Sequence, residues 1–387
     1  MMKKYIIASL LFTFSTVISQ ETIVKSEFAK YPIGAITKEK ISNTLELLFS
    51  EIEQGNINPD FLTAKKQTLT MVTLHKLMNY ELQKDTLTSN VKGKQLINMY
   101  PISNHEYALS ISYTLQKNSS LPTIVYVVNL VATERDKKIT FSIPLEYQTK
   151  YWHTEEIGNI TYHYRGKINK ERAQLFDKKN TQIANNLGLK PEKIDFYMCD
   201  NFQEILNLRG IVYSVKEKGK YKDGYGVVDK TIFSVMNNED FSHDMLHYYS
   251  GKINERKNRN WITEEGVAYS WGNAYYTDTN GEMITHNRLV DELKEYLSKN
   301  TNTNLFELFS ENVKIFDHIA PEVSVRSTIS GLIVNLVQKK QGIEGVLKLI
   351  NAGRQNKLES FLKKTNELIG LNQNNFNSII EKLITEN

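Results

Sequence analysis

Two histidines stand four residues apart, His243 and His247, in the stretch NNEDFSHDMLHYYSG that begins at Asn237. Capping types (Asn237, Asn238) and acids open this stretch. Phe241, Met245, Leu246 and Tyr248 then supply apolar positions, the pattern with which an amphipathic helix begins. A helical turn is about 3.6 residues, so both imidazoles project from one face and converge on one ion. Catalytic zinc usually takes three protein ligands and leaves a position for water, so the pair needs a third donor. After a polar connection from Gly251 to Asn260, Trp261 and Ile262 lead to Thr263, read as the cap of a second helix, then to Glu264, Glu265, Gly266, Val267 and Ala268. The first turn of that helix carries a carboxylate back towards the imidazoles, and spacing alone leaves Glu264 and Glu265 both open.

The order His, three residues, His, seventeen residues, Glu, Gly resembles the gluzincin metallopeptidases. In these a His-Glu-x-x-His helix precedes a Glu-bearing helix often written Asn-Glu-Gly. Within that clan the chain is most similar to the bacterial peptidase MA-like proteins, over roughly Ile168 to the C-terminus. The resemblance implies a Zn²⁺ cofactor held by His243, His247 and Glu265, the acid directly before glycine, with Glu264 as the runner-up. It implies a peptide or protein substrate, hydrolysed by metal-activated water. Asp244 stands where the family has Glu, the general base of that chemistry. Aspartate is one methylene shorter, which sets the carboxylate roughly 1 Å back, and a misplacement of that size costs about a hundredfold in rate. Family members commonly carry a tyrosine before the small residues of a later helix to assist the oxyanion. The matching neighbourhood here offers Ser324, Arg326 and Ser327, which leaves Tyr275, Tyr276, His286, His318 and Arg326 as candidates for that helper.

The elements that must position these groups read as an α+β chain. Ile41, Leu45, Leu48, Phe49 and Ile52 keep helical spacing, and a second helix runs through Leu74 and Leu77. Strict alternation follows at Tyr107 to Leu115 and Ile139 to Leu145, with an apolar run Ile124 to Val128 between them. With Ile160, Tyr162 and Tyr164 closing the set, residues 20–166 read as a helix-plus-antiparallel-sheet domain, cystatin-like or cone-like. Residues 167–387 read as the thermolysin-like, gluzincin catalytic domain with a mainly helical C-terminal part. In it a helical stripe (Ala173, Phe176, Ile183, Leu187) stops at Gly188, and strands follow at Ile194 to Met198 and Ile211 to Val215. Val227 to Val235 is placed to be an exposed edge strand that pairs with an extended peptide. Leucines 289, 293 and 297 line one later helix, and Ile329 to Val337 another that ends before Gly342.

At 387 residues, 40% hydrophobic and 24% charged, the chain holds two domains of ordinary globular material. Residues 1–19 read as a secretory signal peptide: Lys3 and Lys4 precede an apolar run, with Val17 and Ser19 at the small-residue cleavage positions. No cysteine stands directly after that run and no later segment approaches about twenty apolar residues, so the expectation is export to the periplasm or medium without a stable membrane anchor. Removing two lysines takes the net charge from +4 to +2, too near neutral to suggest a nucleic-acid partner. Cys199 is the single cysteine, expected as a buried strand position. Abundant Lys, Asn and Ile suit an AT-rich bacterial genome. Two functions therefore stand: a secreted zinc metallopeptidase with Asp244 as base, or an exported peptide- or glycan-binding module that keeps the peptidase scaffold.

Overall fold

Five apolar residues at helical spacing, Ile41, Leu45, Leu48, Phe49 and Ile52, bury together along one helix, Ala35–Glu53. The computed structural model describes residues 23–25, 30–82, 90–117, 121–215, 225–235, 238–278, 280–355 and 357–387. The signal peptide expected over 1–19 lies outside them. The protein is α+β, and its C-terminal part is helical. Among the described residues no helix is long and apolar enough to cross a membrane. Two compact units divide the chain: one runs to Ala64 and resumes over Met71–Ser142, the other takes Lys65–Thr70 and Ile143–Asn387.

The first unit contains β1 (Val24–Lys25), α1 (Ala35–Glu53), most of α2 (Gln67–Leu82), β2 (Asn90–Pro101), β3 (Glu106–Lys117), β4 (Thr123–Arg135) and β5 (Lys138–Ser142). These strands lie in sequence order, β1 parallel to β2 and the rest antiparallel. Alternation in β3 buries Tyr107, Leu109, Ile111 and Tyr113 on one face, where Phe49 of α1 meets the Tyr113 ring with centroids 5.9 Å apart. β2 went unread in the sequence for a physical reason. A bulge between Leu96 and Asn98 shifts its register, so its buried positions Leu96 and Met99 break the two-residue period.

The second unit opens with α3 (Leu145–Gln148), β6 (His153–Ile157), β7 (Ile160–Tyr164), α4 (Lys170–Asn186), β8 (Ile194–Cys199), α5 (Phe202–Leu208) and β9 (Ile211–Ser214). It continues with β10 (Tyr225–Val228), β11 (Thr231–Val235), α6 (Ser242–Ile253), α7 (Trp261–Trp271) and α8 (His286–Lys299). Four more helices complete it: α9 (Leu305–Glu311), α10 (Val325–Ile350, interrupted at Gly342, φ 67°), α11 (Lys357–Ile369) and α12 (Phe376–Glu386). Its sheet has the order β10-β11-β8-β7-β6, with β7, β8 and β11 parallel and an antiparallel strand at each edge.

Two expectations are corrected here. Ile160 and Tyr162 pair with Ile194 and Phe196 of β8, and Tyr164 with His153 of β6, instead of closing the first sheet; their strand belongs to the compact unit that resumes at Ile143. Alternation tells which face of a strand is buried and is silent on which sheet it joins. Val227 to Val235 is a hairpin and not one edge strand. Asp229 and Lys230 take left-handed φ of 47° and 58° and reverse the chain in a two-residue turn. β10 is the edge, and Thr231 to Val235 are all buried. Cys199 is buried, as expected of a strand position.

Aromatic packing seats the helices on this sheet. Phe176 of α4 and Phe241, just before α6, both meet Phe196 of β8 edge-on, with centroids 5.6 and 6.2 Å apart. Behind them α7 is buried nearly all round. It lies backbone-close to α10: a Cβ on Gly266 would stand 2.7 Å from the carbonyl carbon of Ser330, and Ser330 Oγ donates to Ile262 O at 2.8 Å.

Candidate metal centre

Met245, Leu246 and Tyr249 anchor α6 in the core, which turns the opposite flank, carrying His243 and His247, towards α7. The cap position, Phe241, has no side-chain cap; Asp240, one residue earlier, accepts from Ser242 N at 2.8 Å, the expected cap Asn238 does not serve, and Asn237 lies outside the described residues. Asn260, not Thr263, caps α7: its side chain accepts from Thr263 N at 3.2 Å. Thr263 Oγ1 instead donates to Leu349 O at 3.1 Å, tying α7 to α10. Starting the helix there places Glu264 and Glu265 in its first two turns, beside the imidazoles.

The three expected ligands come together. His243 Nε2 and His247 Nε2 stand 3.3 Å apart. Glu265 Oε1 is 3.2 Å from His247 Nε2, and its Oε2 is 3.6 Å from His243 Nε2. Ligand atoms around a tetrahedral Zn²⁺ with bonds of about 2.0–2.1 Å stand about 3.3–3.4 Å from one another; here each imidazole Nε2 meets a different Glu265 oxygen, and one ligand atom from each of the three residues lies within 4.8 Å of the others.

The far nitrogens argue in the same direction. His243 Nδ1 lies 3.0 Å from the carbonyl oxygen of Asn273, an acceptor only, so the proton sits on Nδ1 and Nε2 keeps its lone pair. His247 Nδ1 lies 3.3 Å from Glu264 Oε1, an ion-pair contact off the N–H axis. Glu264 is 1% exposed and also holds Arg259 Nη1 at 2.8 Å. The His243 imidazole thus turns a lone pair towards His247 Nε2 and the Glu265 carboxylate, while His247 Nε2 can either donate to that carboxylate as imidazolium or, once neutral, join the other two groups in holding a cation. The residues fit a divalent metal, with Glu265 on the ligand side and Glu264 on the orienting side. Asn273 is fixed in turn, since Asp240 Oδ2 accepts from its Nδ2 at 2.8 Å and from Lys179 Nζ at 2.9 Å.

Electrostatics favour positive charge at the same point. Burial pushes the His247 value down, but the Glu264 and Glu265 carboxylates outweigh it and raise it to about 10. Burial likewise pushes both carboxylates up, and their contacts with the imidazoles bring them below the usual carboxylate range. Trp261 covers His247 from outside, its ring stacked at 5.3 Å with planes 9° apart.

Asp244, the expected base, accepts from Tyr276 Oη through Oδ2 at 2.9 Å. It lines a cavity of about 430 Å³ together with His247 and Trp261. Tyr276 is itself seated by stacking on Phe241 at 5.1 Å. Of the other helper candidates, Tyr275 packs against Tyr276 and the core. His286 is buried, with Nε2 2.9 Å from Thr328 O, and burial holds its value low. His318 is exposed, 3.3 Å from Glu292. Arg326 donates to the carbonyl oxygens of Phe309 and Ser310 and so serves the end of α9. Sequence reasoning missed Asn273 and Asp240: a backbone carbonyl has no residue type, and Asp240 read only as one more acid before a helix. No protein-family model matches this chain, and no curated protein matches it.

Proposed function

We propose that the protein is an exported zinc-dependent peptidase in which His243, His247 and Glu265 hold the metal and Asp244 is the general base. The observation that carries this reading is the convergence of two imidazoles and one carboxylate, whose nearest atoms stand 3.2–3.6 Å apart, with the Asp244 carboxylate on the cavity that His247 lines. A zinc ion bound there supplies Lewis acidity, polarising a carbonyl and lowering the pKa of water from 15.7 towards about 7.

The chain's own residues do the rest. Asn273 O and Glu264 orient the imidazoles, and Asp240 with Lys179 orients Asn273. Asp244 takes the proton of the attacking water and passes it to the leaving amine. Tyr276 fixes the Asp244 carboxylate through one oxygen, which leaves the other for that proton. An extended peptide can lie along the β10 edge, whose outer backbone groups have no strand partner among the described residues.

A second reading, an exported peptide- or glycan-binding module that retains the metal as a brace, is favoured by one observation: the shortened acid Asp244 already has a tyrosine on it. Incubating a mixed peptide library with the zinc-loaded chain decides between them. The peptidase reading expects chelator-sensitive cleavage that falls about 100- to 10,000-fold in Asp244→Asn with zinc content unchanged. Absence of any cleavage by the zinc-loaded wild type removes it.

A further inference from the structure

The cavity that Asp244 and His247 line is ringed by cations. Arg256 and Arg259 come from the connection between α6 and α7, Arg354 from the loop after α10, and Lys357 from the start of α11. The carboxylates on the same cavity are already engaged, Glu264 by Arg259 and His247, and Asp244 by Tyr276. Arg256, Arg354 and Lys357 are exposed and have no carboxylate within ion-pair distance among the described residues. Four cations against two satisfied anions leave a local excess that the net charge of +4 for the whole chain does not require.

The loops that carry these cations are tied to each other and do not wander independently. Gly353 N donates to Asn258 O at 3.0 Å and Arg354 N to Lys257 O at 3.3 Å. Asn260, fully buried, donates through Nδ2 to Gly353 O at 3.0 Å and to Lys357 O at 2.9 Å. The residue that caps the Glu265 helix therefore also fixes the basic rim, so the rim and the proposed metal ligands share one frame. The exposed indole of Trp261, stacked on His247, supplies an apolar floor between the two.

We infer that this pocket is a carboxylate subsite: the protein selects peptides that place an acidic group, either an Asp or Glu side chain or a free C-terminal carboxylate, beside the metal centre. Two guanidiniums and an ammonium around one cavity match the planar, two-oxygen shape of a carboxylate. Loops held to one another before binding keep the cations near one cavity, so only side-chain freedom is lost when the anion arrives. The substrate class rests on the peptidase reading; the binding preference does not.

The test uses fluorescently labelled Ala/Gly octapeptides in three forms: one Glu with an amidated C-terminus, Gln at the same place with an amidated C-terminus, and Gln with a free C-terminus. Anisotropy with the purified chain kept metal-free by chelator measures binding without turnover, and hydrolysis of the same peptides is then followed after zinc loading. The expected result is about tenfold tighter binding of one carboxylate form over the neutral peptide, since each exposed charge pair contributes about two- to fivefold. Which form gains identifies the source of the carboxylate. The preference disappears in Arg256→Gln/Arg354→Gln/Lys357→Gln, whose altered side chains are exposed. Equal binding of all three peptides overturns the inference, as does a preference that survives the triple substitution. A preference in binding with no hydrolysis leaves the subsite standing and removes the peptidase; equal hydrolysis of all three removes the subsite and leaves the peptidase.

Discussion

Replacing Glu265 or Glu264 by glutamine separates the ligand from the orienting acid. Glu265→Gln removes a charged donor whose two oxygens lie 3.2 and 3.6 Å from the imidazole Nε2 atoms. Zinc affinities of about 10–16 kcal/mol spread over four ligand positions amount to about 2.5–4 kcal/mol each. The zinc Kd should therefore weaken about 100- to 1,000-fold. Glu264→Gln leaves every donor on the Nε2 side in place and changes only the Nδ1 side of His247 and the ion pair with Arg259 at 2.8 Å. Changes behind a ligand cost about 10- to 100-fold in affinity. Competition of the metal-free protein with a chromophoric chelator at one fixed pH measures both, with circular dichroism checking that each variant is folded. If Glu264→Gln weakens zinc as much as Glu265→Gln, the assignment of roles is wrong. If neither changes the Kd, there is no metal centre at these residues.

Two further outcomes follow from packing and charge. Gly266→Ala puts a Cβ 2.3 Å from Ser330 Oγ and 2.7 Å from its carbonyl carbon. Separating α7 from α10 to make room should cost about 1–3 kcal/mol, read as a Tm lower by roughly 2–12 °C, with weaker zinc binding because Glu265 moves too. Asp195→Asn tests a pH dependence. Burial raises the Asp195 value, but His163 and Lys66 more than offset this and hold it at about 2, below the roughly 3.9 of an unfolded aspartate. Its stabilisation, about 1 kcal/mol once solvent screening is discounted, is complete above about pH 4 and lost as pH falls towards 2. The Tm gap between wild type and Asp195→Asn should be widest near pH 6 and close on acidification; a gap that grows below pH 4 contradicts this.

The juxtaposition of the candidate ligand side chains was more legible than the architecture around it. His243 and His247 could be read because helical spacing converts sequence distance into direction, one turn aligning the imidazoles; spacing brought an acid of the next helix back to them but left Glu264 and Glu265 open, and only the family resemblance chose Glu265. Glycine at 266 was legible as part of a motif, while its cause, the close approach of α10, needed coordinates. The orienting atoms were invisible for a different reason. Asn273 contributes a carbonyl, and Tyr276 reaches Asp244 from a loop, so neither obeys a period. Strand alternation likewise identified β7 and misplaced it, because the partner that decides its sheet, β8, lies thirty-four residues downstream at Ile160↔Ile194. Nothing in the order of Arg256, Arg354 and Lys357 announces a shared cavity; Asn260 joins their loops across more than ninety residues.

Metal content of the purified chain tests the central claim most directly. After expression in zinc-supplemented medium and extensive dialysis, elemental analysis should find one zinc per chain, removable by chelator and missing from a folded His243→Ala variant. Less than a tenth of an equivalent in the wild type after zinc reconstitution, or full occupancy in the folded His243→Ala protein, would contradict it.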